Sequence, residues 1–488
     1  MSDDAGPAWL VSAAYIDPGS IVSDFQQGAY TGYQLLWITF VATLIGVAFQ
    51  NISIRLGLVT RKNLAQLCAE YYKTKAANWT VWGLMELGTV LVDVQAVVGS
   101  AVAFSALVNI PFWASCVLVC ALTLVVVFLY QWSGNRTELM TAGLIFALVI
   151  CFAVNFFQVS PPAGQVFMGW FAPTAQPYTL FTSLGILGAL LMPNVFFLHS
   201  DLIIQHKYDD KATQTQIYWT AFAELMFGLM FTFFGNLMVI CVFAAFFFNE
   251  ECAEQGLAMA NGTCTTVLLD DGLAYLSTGY GAVFQSFFLV GLVGAGMGSM
   301  ISSTLAGQCI TEGFLKIKLP FWQRLLITRI LTLVPTIFLS AIPGNGTQSA
   351  SLLNEWINII VALLLPFALV PLAQFSNKDF MEGWKMHWIL HWMLWAVTML
   401  IITINFYFLI GFVYQPDVFG SVGAYPDQPW FYSFIGILLL AYVYLLALTL
   451  RDNLEVIWAF TVRICTPYVL RLYEAMKKND VVPSSNEN

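Results

Sequence analysis

Charge is what this chain has least of. Only 10% of its 488 residues are Asp, Glu, Lys or Arg, against about 25% in an ordinary soluble domain. Histidine is scarcer still, with 4 residues. No Gly-rich phosphate loop, nucleophile–base pair or zinc-ligand spacing is present, so no enzyme is expected. Low-complexity tracts, long linkers and soluble domains are absent too. No cleavable signal peptide is expected, because the first apolar run is itself interrupted by Asp17-Pro18-Gly19. The formal net charge of −9 says little about nucleic acid, and no such partner is expected. It reflects loop residues such as Glu250, Glu251, Glu254, Asp270 and Asp271, which either draw cations or simply solvate the loop.

What fills the chain is apolar. Hydrophobic residues make up 59% and the mean hydropathy is +0.75. Only helices or closed barrels span lipid, and these runs are about 20 residues or longer rather than alternating ten-residue segments. The class is an all-α polytopic membrane protein. About twelve spans are expected, centred near Ser12–Ser23, Trp37–Gln50, Trp82–Leu107, Phe112–Leu129, Met140–Phe157, Leu180–Ile203, Phe222–Phe248, Val283–Ser302, Ile330–Ala341, Ile357–Ala373, Leu390–Phe412 and Trp430–Leu450. All 19 Lys and Arg fall outside these spans, in loops on one side. The positive-inside rule makes that side and both termini cytoplasmic. The host membrane is either the plasma membrane or an endomembrane.

Most of the 9 cysteines read as apolar packing. Cys252 and Cys264 share an outer loop and are a candidate disulfide if that face is oxidising. The same loop carries Asn261-Gly262-Thr263, and the next outer loop Asn345-Gly346-Thr347, both candidate glycosylation sites. Beyond Asp452 the spacing of Val456, Ile457, Phe460, Ile464, Tyr468 and Leu472 suggests an amphipathic segment on the inner membrane surface.

Two spans are broken at bilayer depth. The first reads Ala14-Tyr15-Ile16-Asp17-Pro18-Gly19-Ser20, and the sixth reads Gly188-Ala189-Leu190-Leu191-Met192-Pro193-Asn194. A pair of Gly/Pro-interrupted spans at corresponding positions of two halves points to the binding site of an inverted-repeat transporter.

These residues resemble the Nramp divalent-metal transporters. The family's first-span signature Asp-Pro-Gly-Asn is met by Asp17-Pro18-Gly19-Ser20. Its sixth-span Ala-x-x-Met-Pro-His, with Leu-His-Ser downstream, is met by Ala189 to Asn194 and Leu198-His199-Ser200. Leu365-Pro366-Phe367-Ala368-Leu369 and Ile404-Asn405-Phe406-Tyr407-Phe408 also fit. The resemblance covers about residues 9–412. It implies the LeuT-type fold, two inverted five-helix repeats plus two peripheral helices. The transport core is then 1–375, peripheral spans occupy 386–450, and a cytoplasmic tail runs over 451–488. It also implies a protein acting as a monomer in the lipid bilayer, with no resident cofactor.

The chemistry agrees with that likeness. A broken helix frees carbonyls for a cation, and Asp17 brings a formal charge. A carboxylate buried in a bilayer is costly unless something positive visits it. With no Lys or Arg in any span, the expected visitor is a bound cation. The resemblance gives Asp17, Met192 and the carbonyl regions of Ala14 and Ala189 as metal ligands, with Ser20 standing where the family has Asn. A thioether favours Mn²⁺, Fe²⁺, Co²⁺ or Cd²⁺ over Ca²⁺ or Mg²⁺.

Departures from the family concern protons. Asn194 replaces its His, Ala96 replaces the Glu of an Asp-x-x-Glu pair begun by Asp93, Leu364 replaces a Gln, and Met297 takes a second Gln position. Asp93, His199, Glu86 and Glu224 remain as pathway candidates, His199 foremost, and whether protons move is open. Three readings follow. One is a secondary transporter importing Mn²⁺ or Fe²⁺ by alternating access with weakened or lost proton coupling. A second is an uncoupled carrier of a harder, partly hydrated ion such as Mg²⁺. The third is a metal sensor that keeps the fold without transport.

Overall fold

The structure, a computed structural model, describes residues 7–72, 74–133, 136–174, 176–206, 213–260, 262–317, 320–340, 346–414, 436, 439–447 and 449. Asn261, Asn345, the tail at 451–488 and most of the expected twelfth span lie outside the described residues.

The first span is two helices, α1 (Pro7–Ala14) and α2 (Pro18–Thr31), followed by α3 (Leu36–Thr60) and a short α4 (Leu64–Tyr71). Next come α5 (Lys75–Val108), α6 (Phe112–Ser133), α7 (Arg136–Val159) and the short α8 (Ala163–Phe171). The sixth span is likewise two helices, α9 (Leu180–Leu190) and α10 (Pro193–Gln205), and α11 (Gln214–Phe247) follows. A cap between α11 and the next long helix holds α12 (Glu250–Ala253), a hairpin of β1 (Ala258–Ala260) and β2 (Thr263–Thr265), and α13 (Leu269–Tyr280). The chain continues through α14 (Ala282–Leu315), α15 (Phe321–Ser340), α16 (Gly346–Leu364), α17 (Pro366–Phe375) and α18 (Trp388–Tyr414).

Among the described residues, seven helices are long and apolar enough to cross a bilayer, and α6 and α7 contain shorter apolar stretches. The first eleven expected spans each coincide with a helix or a broken pair. Proline sets all the breaks. Pro18, Pro193 and Pro366 each open a new helix at its first position, where the missing N–H costs least.

One expectation is overturned. The sequence reading begins the ninth span at Ile330 and leaves Arg324 and Arg329 in a cytoplasmic loop. Instead α15 begins at Phe321, and the two arginines are 6% and 1% exposed within it. Each meets a carboxylate on α5. Arg324 pairs with Glu86, and Arg329 Nη2 lies 2.7 Å from Asp93 Oδ1. A hydropathy window counts an arginine as a penalty and cannot see its partner, so it cuts the helix short.

α5 packs along α14, α2 along α11, and α9 along α16. Small residues permit this closeness. A Cβ at Gly188 of α9 would collide with the Asn358 carbonyl of α16, and one at Gly99 of α5 with the Pro18 ring. Ala14, Tyr15, Ile16 and Met192 lie in one buried cluster with residues of α5, α11 and α14, so the two breaks meet in the interior. In the cap Cys252 and Cys264 form a disulfide that ties α12 to the hairpin. That cap is docked on α2 by the Tyr30 hydroxyl, which accepts from Val267 N at 3.0 Å and donates to its carbonyl at 3.1 Å.

Candidate metal site

Asp17 caps the start of α2. Its Oδ1 accepts the Ser20 amide at 2.7 Å, and its Oδ2 accepts the Ser299 hydroxyl of α14 at 3.2 Å. The carboxylate is fully buried and no cationic side chain pairs with it among the described residues. Ser20 donates its hydroxyl to the Asp17 carbonyl at 2.9 Å, which fixes its oxygen at the break while leaving lone pairs free to accept or ligate.

The carbonyls follow from chain geometry. In an α-helix the carbonyl of residue i takes the amide of residue i+4. Pro18 stands at that place for Ala14, and Pro193 for Ala189, and proline has no N–H to give. The third break repeats the spacing, with Pro366 four residues after Ala362. There the loss is repaired. Asn405 of α18 donates to the Ala362 carbonyl at 3.0 Å, and the Leu365 amide reaches it at 3.3 Å. No such cover is seen on Ala14 or Ala189 among the described residues. Two of three equivalent breaks therefore keep a carbonyl in hand, and they are the two beside Asp17 and Met192.

Met192 caps α10 in extended conformation and is buried. Asn194 is buried behind it, with an Oδ1 that has no hydrogen-bond partner. Among the described residues no three His, Cys, Asp or Glu side chains gather. The candidate donors are thus the Asp17 carboxylate, the Ala14 and Ala189 carbonyls, the Met192 thioether and the Ser20 and Asn194 oxygens. Such a set carries one formal negative charge, half of what would neutralise a divalent ion.

Around this centre lies a polar frame. Gly19 abuts the Gln95 side chain of α5. Gln95 Nε2 donates to Asn358 Oδ1 at 2.6 Å, and Asn354 Nδ2 donates to the Gly19 carbonyl at 3.3 Å. His199 Nδ1 donates to Gln50 Oε1 at 2.8 Å, whose Nε2 reaches the Tyr15 hydroxyl at 3.4 Å. His199 is therefore wired to the first break rather than to the sixth. Asp93 accepts both Arg329 and the Ser303 hydroxyl, the latter at 2.7 Å. Glu86 accepts Arg324 and, at 3.2 Å, Thr311. Glu224 is half-buried on α11 and bonds to none of these groups. Ala96 and Met297 pack together in an apolar cluster, and Leu364 joins another, so the replaced polar positions are filled with hydrocarbon.

Sequence reasoning missed Ser299, Gln95, Gln50, Asn354, Asn358 and the two arginines. Nothing distinguishes such residues along the chain except their depth in a span.

A buried carboxylate between two broken helices defines a multi-pass membrane transporter whose cargo is a cation. The chain belongs to the family described as natural resistance-associated macrophage protein-like (Nramp), whose profile matches residues 8–411. The metal transporter nramp1 homolog of Dictyostelium discoideum is 36% identical over 417 residues, spanning 84% of this chain and 75% of that protein. Metal transporter Nramp3 of Arabidopsis thaliana is 35% identical over 429 residues, spanning 86% and 81%. The crystal structure of the Eremococcus coleocola manganese transporter in complex with an aromatic bis-isothiourea substituted compound superposes with a TM-score of 0.79, covering 92% of this chain and 94% of that one. At 24% identity that likeness shows the fold, the LeuT-type helical membrane fold. The resemblance read in the first and sixth spans is thereby borne out, and the family is one of divalent-metal transporters rather than enzymes.

Proposed function

We propose that the protein imports divalent transition metals, Mn²⁺ or Fe²⁺ foremost, by alternating access, with proton transfer through Asp93 weakened. The observation that carries the reading is the meeting of Asp17, the uncovered Ala14 and Ala189 carbonyls and the Met192 sulfur at two helix breaks. Sulfur sets the preference for a softer ion. Asp17, Ser20, Met192 and Asn194 are all at most 2% exposed, so an ion here is enclosed from both sides. Release requires the half-helices to rock about their breaks.

Weakened coupling rests on Asp93. In the absence of the Glu at Ala96, its carboxylate is already partnered by the Arg329 guanidinium and the Ser303 hydroxyl. One observation favours the Mg²⁺ reading as the alternative. Ser20 and Asn194 supply only hard oxygen, and hard oxygen suits a smaller, partly hydrated ion.

Purified protein in liposomes, assayed for Mn²⁺ and Mg²⁺ influx with an internal pH dye, separates the readings. Saturable Mn²⁺ influx that disappears in Asp17→Ala is expected. Selective Mg²⁺ influx would move the assignment to the alternative, and no flux of either ion would leave the sensor reading.

A further inference from the structure

Among the described residues, the carboxyls that lie in the spans have a donor, Asp24 and the half-buried Glu224 aside. Asp17 has Ser20 and Ser299, Asp93 has Ser303 and Arg329, Glu86 has Arg324 and Thr311, and Glu355 of α16 has Gln26. Asp24 is different. It lies in α2, seven residues beyond Asp17, is 2% exposed, and its Oδ2 is buried with no hydrogen-bond partner. No Lys or Arg pairs with it among the described residues. Gln27 is the nearest amide along the helix. Its Oε1 accepts the Thr39 hydroxyl at 3.0 Å, and its Nε2 makes no bond to Asp24.

The register of α2 on α11 shows what Asp24 looks out on. The Tyr15 carbonyl accepts Asn236 Nδ2 at 3.3 Å, and a Cβ at Gly28 would collide with the Ile240 carbonyl. Phe25 packs edge-on against Phe243, with centroids 4.8 Å apart. Residues four apart share a helix face, so Asp24, one turn below Gly28, stands opposite the turn between Asn236 and Ile240. Asn236 Oδ1 is also buried without a donor. Among the described residues, neither the Asp24 Oδ2 nor the Asn236 Oδ1 on the neighbouring helix has a hydrogen-bond donor. An ionised carboxylate without donor or cation is not tolerated at that depth.

The surrounding titratable groups offer no remedy. Asp17 on the same helix adds only repulsion. Asp93 on α5 and Glu355 on α16 are themselves acidic and already engaged. On α11, Cys241 is buried among apolar side chains and Glu224 lies near its opposite end. On α13 the Asp271 carboxylate caps its own helix by accepting the Leu268 amide at 2.8 Å. Tyr30 is committed to Val267.

We infer that Asp24 is a second ion site of this transporter, and that the ion is a proton. In the closed state the carboxyl is the neutral acid, enclosed beside α11 with no cation to balance a charge. When α2 swings from α11 and water enters, the O–H bond breaks, the proton passes to water, and the carboxylate is solvated. Reprotonation from the other side completes the cycle. Coupling then runs through α2 itself rather than through Asp93. This rests on the transport reading above.

Mn²⁺ influx is measured in the same liposomes across external pH for wild type, Asp24→Asn and Asp24→Glu. A single linked proton changes the rate by up to about tenfold per pH unit. Wild type and Asp24→Glu are expected to show that dependence, at displaced pH. Any flux left in Asp24→Asn is expected to vary less than about twofold per unit. Infrared difference spectra, Mn²⁺-loaded minus metal-free, give a readout independent of flux. A protonated-carboxyl band that shifts in D₂O is expected in wild type and lost in Asp24→Asn. Wild-type flux indifferent to pH overturns the inference without any variant, as does a band that survives in Asp24→Asn. Dependence on Na⁺ or K⁺ in place of pH overturns it in favour of an alkali cation. Should no metal move at all, the transport reading fails first, and the infrared band alone decides Asp24.

Discussion

Asp17 is held by a backbone amide and a hydroxyl, and neither cancels its charge. That leaves the charge for the cargo. Ser299 matters because hydrogen bonds to charged groups contribute about 1.5–3 kcal/mol. Ser299→Ala is expected to raise the KM for Mn²⁺ roughly tenfold or more, while Ser299→Thr keeps the hydroxyl and most of the affinity. Uptake titrations on both variants check this, and equal losses would assign Ser299 a packing role. Met192→Ala is expected to narrow the preference for Cd²⁺ and Mn²⁺ over Mg²⁺ by an order of magnitude, because it removes the only soft donor. Competition assays read that ratio directly. The identities of Asp17, Pro18, Met192 and Pro193 were legible in the chain because a charge, a thioether and helix breakers are conspicuous in hydrocarbon. Ser299 was not, since a serine in a span most often bonds its own helix, as Ser302 does.

Three helices break four residues after an alanine, and the element scale shows why they differ. The Ala362 carbonyl is covered by Asn405 from α18, whereas those of Ala14 and Ala189 have no such donor among the described residues. The third break is a structural bend, and the first two keep the carbonyls proposed as ligands. Asn405→Leu is therefore expected to cost about 1–3 kcal/mol by leaving a buried carbonyl unpaired. A lower melting temperature in detergent with unchanged metal affinity is the expected pair of results. Weakened metal binding would place the third break in the site. Close packing sets a second limit on these elements. Gly188→Val would drive a side chain into the Asn358 carbonyl, separating α9 from α16 and displacing the Ala189 carbonyl with it.

Across the whole molecule, α5 and α15 are joined by two buried ion pairs, Glu86–Arg324 and Asp93–Arg329. Removing one partner strands the other, which costs about 3–5 kcal/mol. Asp93→Asn is expected to lower thermal stability by that order, and Asp93→Asn with Arg329→Met to recover most of it. Melts of the single and double variants decide the point. A single variant as stable as wild type would return Asp93 to the list of free proton carriers. These pairs brace α5 against α15, while α1, α2, α9 and α10 carry the breaks. The arrangement suits one group of helices staying fixed as the other moves.

Composition by itself determined that the chain lives in a bilayer, because no soluble core could absorb so much hydrocarbon. The two proline breaks, with the residues beside them, carried the resemblance to the family to which the chain belongs. Those properties are written locally, in residue type and spacing. Only the tertiary structure decided which charges are free. Along the chain Asp17, Asp24 and Asp93 look alike, three acids in apolar spans. Folding gives Asp93 an arginine, gives Asp17 two neutral donors, and leaves the Asp24 Oδ2 buried with no partner among the described residues. Partners of a buried charge come from distant helices, and no local pattern encodes them.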